Sequence, residues 1–145
     1  MWHFANSLIF NTEDIYVRNV KKRIKVHEYR IGNKYNLMLG KNDMMFLTTR
    51  DYSNYETVYI TKQPIIYHSW REAFENTENY LDDFTGVATN MEEALEAVSK
   101  FYTEEEIAKC GIIVYDIKVC PYPEEYDFEN HKHIEIDWKE RNKDL

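Results

Sequence analysis

The stretch NMEEALEAVSKFYTEEEIAKCGIIVYDIKV, residues 90–119, decides the fold. Asn90 is a good helix N-cap, and Glu93, three residues on, is its capping-box partner. Met91, Leu95, Val98 and Phe101 recur at helical spacing and predict one buried stripe. Thr103 and Glu106 repeat the cap signature. A second short helix therefore runs from Glu104 to Cys110, with its glutamates at the positive end of the helix dipole. Gly111 is the C′ residue of that helix. Ile113, Tyr115, Ile117 and Val119 then share one face of a strand, with Ile112 and Val114 on the other. Apolar character on both faces predicts a strand covered on both sides at its start.

Working outward, Pro121-Tyr122-Pro123 ends the strand. Residues 124–130 read as an acidic loop, and 131–138 as a last strand with Ile134, Ile136 and Trp138 inward. A charged tail follows over 139–145. Upstream, Trp70, Phe74, Thr77, Tyr80 and Leu81 fall on one helical face, predicting an amphipathic helix over 69–83. The first 67 residues read as a meander of short strands with tight turns. Residues 7–19 give two strand pieces split at Asn11–Asp14. In the next strand, Ile24 and Val26 alternate with Lys25 and His27, the period of a half-buried strand. Tyr35–Leu39, Met44–Thr49, Glu56–Thr61 and Ile65–Tyr67 follow, with Pro64 marking a strand start or an edge.

Strands, then helices, then strands predict one compact α+β domain over 1–145. Its parts are the meander (1–67), an acidic helical region (68–110), closing strands (111–138) and a frayed tail (139–145). The sheet is expected to be mainly antiparallel, of about six strands, with two main helices on one face.

The chain has 145 residues, 43% hydrophobic, 30% charged and 15% aromatic, with twelve Tyr. That composition supports a real core. Four Gly and three Pro leave little from which to build a phosphate loop. The net charge of -8 is split: residues 1–70 carry ten Lys/Arg and six Asp/Glu, residues 71–145 eight and twenty. This disfavours direct nucleic-acid binding, which needs a basic footprint, and favours a basic protein partner. Cys110 and Cys120 form no disulfide framework, so free thiols and a reducing cytoplasmic setting are expected. The N-terminus lacks a signal-peptide pattern, and no segment approaches a membrane helix. Exposed strand edges permit a homo-oligomer.

Four candidate sites emerge. His131, His133, Glu135 and Asp137, spaced by two, share a strand face and include four metal-capable side chains, but the same spacing describes a solvated edge, and no metal or cofactor is expected. The basic run Lys21-Lys22-Arg23, with Lys25 and Arg30, could meet an anionic ligand, and Tyr29 and Tyr35 could stack on a base. Arg23, Lys25, Tyr29, Arg30 and Tyr35 are thus the ligand-binding candidates of a small-molecule or nucleotide-binding protein. Tyr29-Arg30-Ile31-Gly32, Phe46-Leu47-Thr48-Thr49 and Glu135-Ile136-Asp137 resemble, in order, the arginine, hydroxyl and acidic motifs of ADP-ribosyltransferases. That resemblance implies an arginine on a dinucleotide and an acid beside a developing oxocarbenium ion. No nucleophile pair, Walker motif or zinc motif points to an enzyme.

The acidic surface is the fourth candidate and the leading expectation. Glu72, Glu75, Glu78, Asp82, Asp83, Glu92, Glu93, Glu96, Glu104, Glu105 and Glu106 are read as exposed helix positions. Tyr122, Glu124 and Glu125 extend them into a loop. Such a surface could imitate a phosphate backbone and occupy the basic groove of a nucleic-acid-handling protein. In charge split and in its wealth of Lys, Asn, Ile, Tyr and Glu, the chain resembles small phage-encoded inhibitors of host defence enzymes, the anti-CRISPR-like kind. The expected function is non-enzymatic binding and inhibition.

Overall fold

A computed structural model describes residues 6–121, 126–127 and 132–133. The strand at the centre of the sheet is the one predicted from the sequence, here β6, Ile112–Val119. Its two faces serve two cores. Ile112 and Val114 join one cluster with Tyr29, Ile31, Trp70, Phe74, Phe84 and Val98. Ile113, Tyr115 and Ile117 join another with Phe10, Val20, Leu39, Met45, Leu47, Val58 and Ile60. Fully burying side chains of these types contributes about 1.5–3 kcal/mol each.

Five further strands complete the sheet: β1 (Ser7–Asn11), β2 (His27–Ile31), β3 (Met44–Thr48), β4 (Tyr55–Ile60) and β5 (Ile65–Tyr67). The order is β1-β3-β4-β6-β2, with β5 also on β6. β1 and β3 are parallel and the other pairs antiparallel, so the sheet is mixed. One edge of β6 takes β4 over Ile117–Val119 and β5 over Ile112–Val114. Residues 61–64, with Pro64, connect the two partners. The free edges, β1 and β2, approach each other. Arg30 on β2 donates from a guanidinium nitrogen to the Asn11 carbonyl at the end of β1, 3.2 Å away. Beyond β6, Tyr126–Asp127 and Lys132–His133 form a two-residue antiparallel pair.

Four helices accompany the sheet: α1 (Asp14–Lys21), α2 (Trp70–Glu75), α3 (Met91–Val98) and α4 (Glu104–Cys110). α2, α3 and α4 lie with the first core on one sheet face. Asn90 caps α3 by accepting from the Glu93 amide. The Glu93 carboxylate reaches one residue further back than predicted, to the amide and hydroxyl of Thr89. Thr103 and Glu106 form a full capping box on α4. Gly111 ends it at φ 74°, where an added Cβ would sit 2.6 Å from the Tyr67 carbonyl. Among the described residues no helix is long and apolar enough to cross a membrane.

Several expectations are corrected. Residues 14–21 are helix, not strand. Tyr16, Val17 and Val20 are buried at helical spacing, and Asp14 pairs with Arg18 one turn on at 2.7 Å. Tyr35–Leu39 holds a short 3-10 turn, Asn36–Met38, not a strand. The helix expected over 69–83 stops at Glu75. Asn79 adopts φ 59°, and a 3-10 turn then covers Tyr80–Phe84. Of the predicted α3 stripe, Val98 is buried while Phe101 is exposed, and Ala94 takes the inner position.

Candidate functional site

The segment leading into β2 is alternating, as its sequence suggests, but with the phase reversed. Lys25 and His27 are buried, at 5% and 8% exposure, while Ile24 and Val26 are 36% and 40% exposed. The turn after α1 sets this phase. Arg23 takes φ 60°, and the Asn19 carbonyl accepts from the amides of both Ile24 and Lys25. Charge is thereby carried inward at the open edge of the sheet.

A cavity of about 440 Å³ lies there, between the free ends of β1 and β2. Its aromatic walls come from α1 (Tyr16), β2 (Tyr29), α2 (Trp70) and the α3–α4 connection (Phe101, Tyr102), with Phe84 behind. Its charged wall is Lys25, Glu28 and Arg30. The Lys25 ammonium donates to the His27 carbonyl, lies 3.7 Å from Glu28 Oε1 and sits 5.2 Å from the centre of the Tyr29 ring. Arg30 Nε lies 3.6 Å from the same Glu28 oxygen, and the guanidinium stacks 4.7 Å from the Phe10 ring. Glu28 Oε1 also accepts from the Tyr29 amide, which is the free edge of β2. The side chains of Lys25 and Glu28 are 4% and 7% exposed.

Among the described residues, three atoms of the cavity lining are buried and form no hydrogen bond within the protein: Glu28 Oε2, Arg30 Nε and Trp70 Nε1. A buried polar atom left without a partner costs about 1–3 kcal/mol. The wall as it stands therefore offers one strong acceptor and two donors to whatever enters. Burial, with Glu13 and Glu28 nearby, pushes the Tyr16 hydroxyl up to about 12. Tyr29 is pushed up as well, first by burial and then by Asp83. Both phenols are neutral at physiological pH.

Behind Tyr29 stands Asp83, predicted to be exposed and in fact fully buried. Its Oδ1 accepts from the amides of Val26 (2.8 Å) and His27 (3.2 Å). Its Oδ2 accepts from Tyr29 Oη (2.6 Å) and lies 2.8 Å from His27 Nδ1. An ionised carboxylate is acceptor-only, so this contact places the Nδ1 proton on the imidazole. Asp83 thus fixes both the Tyr29 ring and the His27 carbonyl that holds Lys25. His27 also lines a second, open cleft of about 940 Å³ at the uncovered end of the sheet, with Lys62 and Asp116, themselves 3.3 Å apart.

Of the ligand-binding candidates, Lys25, Tyr29 and Arg30 come together in the edge cavity. Arg23 lines the second cleft, and Tyr35 is 60% exposed beside the Asn36–Met38 turn, on neither wall. Thr48 and Thr49 are not among the residues lining the cavity that holds Arg30, and their hydroxyls bond within the β3–β4 loop. Glu135 and Asp137 lie outside the described residues, as do His131, Tyr122, Glu124 and Glu125; His133 falls in the short strand Lys132–His133. Among the described residues no group of three His, Cys, Asp or Glu is placed to hold a metal ion. Cys110 and Cys120 are free.

Glu75, Glu78, Asp82, Glu92, Glu93, Glu96, Glu104 and Glu105 are exposed on or between α2, α3 and α4. Four of the predicted surface acids also have local partners, Glu106 through its capping box with Thr103. Glu72 accepts from the His68 amide, Glu92 pairs with Arg71 at 3.0 Å, and Glu93 holds Thr89. Glu28 and Trp70 were missed as site residues. The available signal for Glu28 was a carboxylate midway between two cations, in the run Lys25-x-x-Glu28-x-Arg30.

No protein-family model and no curated protein matches the chain. Several solved structures resemble it. The crystal structure of hypothetical protein PH0355 has a TM-score of 0.64 at 21% identity, covering 79% of this chain and 99% of that one. The solution structure of protein PF0455 from Pyrococcus furiosus has a TM-score of 0.59 at 21% identity, covering 80% and 99%. An ASCH domain from Lactobacillus crispatus has a TM-score of 0.48 at 12% identity, covering 79% and 78%. The likeness to the first two is one of fold: a small α+β domain with a curled mixed sheet.

Proposed function

We propose that the protein binds a small planar nitrogen heterocycle, of the size of a nucleobase or nucleoside, in the edge cavity. The observation that carries this reading is the set of three buried polar atoms without a hydrogen bond, Glu28 Oε2, Arg30 Nε and Trp70 Nε1, on residues that line the cavity. A flat ring fits between aromatic side chains, and its edge presents donors and acceptors in a plane. The volume falls within the usual range for small-ligand sites, about 300–1,000 Å³.

The test is a thermal-shift and tryptophan-fluorescence panel of neutral and anionic heterocycles, nucleosides and nucleotides. A ligand at a hundred times its Kd raises stability by about 2.7 kcal/mol. Glu28→Gln and Trp70→Phe should each weaken the binding of whichever panel member stabilises the wild type. A panel in which no member shifts the melting curve or changes the fluorescence sinks the proposal.

The exposed acids of the helical layer support a second reading, capture of a partner protein with a basic surface. Reversal of Glu96, Glu104 and Glu105 to Lys spares the residues with local partners. It should abolish partner capture in a pull-down and leave the melting temperature within a few degrees of wild type. Unchanged capture would count against this reading.

A further inference from the structure

We infer that the ligand of the edge cavity carries a negative charge on its planar head, so that the natural ligand is a heteroaromatic acid and not a neutral base. This inference rests on the reading of the cavity as a heterocycle site. It comes from the balance of fixed charge on the wall. Lys25, Arg30 and Arg50 line the cavity, against Glu28 and Glu13. Glu13 is committed to Lys100, which is not among the lining residues, at 2.7 Å. One carboxylate, Glu28, is thus set against three cations. The tyrosines do not redress the balance, because Tyr16 and Tyr29 stay protonated. Asp83 lies behind Tyr29 and is already met by three donors and the His27 ring.

Position sharpens the point. The Lys25 ammonium has three protons; it donates to the His27 carbonyl, lies 3.7 Å from Glu28 Oε1 and sits 5.2 Å from the centre of the Tyr29 ring. Arg30 Nε has no hydrogen-bond partner. With the Lys25 and Glu28 side chains 4% and 7% exposed and Arg30 15% exposed, excess positive charge on this wall is costly unless an anion meets it. An anionic oxygen on the ligand would accept from Lys25 and Arg30 together. The same ring must also donate, because Glu28 Oε2 is an unpartnered acceptor. The head is therefore a flat heteroaromatic ring with one carboxylate-like oxygen pair and at least one N–H. Arg50, exposed at the mouth, adds a long-range attraction for the same sign of charge.

The experiment compares an amino-substituted nicotinate with the matching nicotinamide, which share ring and N–H but differ in charge. Binding is measured by calorimetry on the full-length protein at neutral pH. The acid should bind at least about tenfold more tightly, the worth of one charge-assisted hydrogen bond. The preference should persist at high salt, since buried charges are screened little. Lys25→Met and Arg30→Gln should each erase it, while Arg50→Ala, an exposed change, should reduce it only a few-fold. The wild-type comparison decides the matter even where a variant fails to fold. Equal or tighter binding of the amide overturns the charge assignment and leaves the heterocycle reading standing. Absence of binding by both, in protein with a cooperative melting curve, overturns the charge assignment and counts against the heterocycle reading too.

Discussion

Asp83 offers the sharpest test of how the cavity is held. Its carboxylate is fully buried and surrounded by two backbone amides, the Tyr29 hydroxyl and the His27 ring. Hydrogen bonds to a charged group contribute about 1.5–3 kcal/mol each, and removing one member of a buried ionic arrangement costs about 3–5 kcal/mol. Asp83→Asn keeps one oxygen and so keeps at most two of the four contacts, which puts its cost at about 3 kcal/mol. Asp83→Ala leaves every donor unmet and should cost about 5 kcal/mol. Tyr29→Phe removes a single donor and leaves the ring as cavity wall, for about 1.5 kcal/mol. In a domain of this size each kcal/mol moves the midpoint by about 3–4 °C. Circular-dichroism melts and urea titrations should therefore rank the variants Ala, Asn, Phe from worst to mildest. Asp83→Asn should melt about 10 °C below wild type. If it falls within about 1 kcal/mol of wild type, Asp83 is not the hub described. Ligand binding adds a second readout. Tyr29→Phe should keep it, because the ring stays, whereas Asp83→Ala should lose it even at temperatures where the protein is folded.

Three other predictions follow from single features. Thr103→Ala removes the capping box of α4 and should cost about 1 kcal/mol in urea titrations, a loss that Thr103→Ser should largely restore. Gly111→Ala combines a left-handed φ of 74° with a Cβ placed 2.6 Å from the Tyr67 carbonyl, so its cost should exceed the roughly 1–2 kcal/mol of left-handed strain alone. Raising the pH should weaken the fold in a defined window. Burial, then Glu13 and Glu28, lift Tyr16 from 10.0 in the unfolded chain to about 12 in the folded one. The unfolded state therefore releases its proton first. The Tyr16 contribution is complete below pH 10 and is lost as the pH rises toward 12. Chemical-denaturation midpoints should fall across that interval, and fall less steeply in Tyr16→Phe.

The parts of the fold that could be read from sequence are those decided by neighbouring residues. The caps at Asn90 and Thr103, the stop at Gly111 and the two-faced strand Ile112–Val119 all rest on contacts within a few positions. The errors have a common cause in distant contacts. Ile15-Tyr16-Val17, rich in β-branched and aromatic residues, suggests a strand by propensity. It is helix because Tyr16 and Val20 reach two different cores from one helical side. Asp83 adjoins the exposed Asp82 and looks equally solvated. Its burial depends on the amides of Val26 and His27, more than fifty positions away. Lys25 was legible as a ligand candidate by type, but its inward direction was not. That direction depends on the left-handed turn at Arg23, which a non-glycine sequence does not announce.

One structural alternative to a ligand site deserves to be argued against on its own terms. Free sheet edges are commonly blunted with inward-pointing charge to prevent pairing with another chain. β2 is such an edge, and the Glu28 carboxylate does cover its own strand's Tyr29 amide. Edge protection, however, needs one charge with access to water. Here two charged side chains are more than nine-tenths buried, and a third, Arg30, is 15% exposed. Nor does protection of β2 explain Trp70, which comes from α2 and brings a third unpartnered polar atom to the same wall. Two elements far apart in sequence, β2 and α2, bring buried polar atoms without a hydrogen bond to one cavity. Folding alone would favour apolar side chains at those positions. The cost is accounted for if the wall is completed by something that the chain itself does not supply.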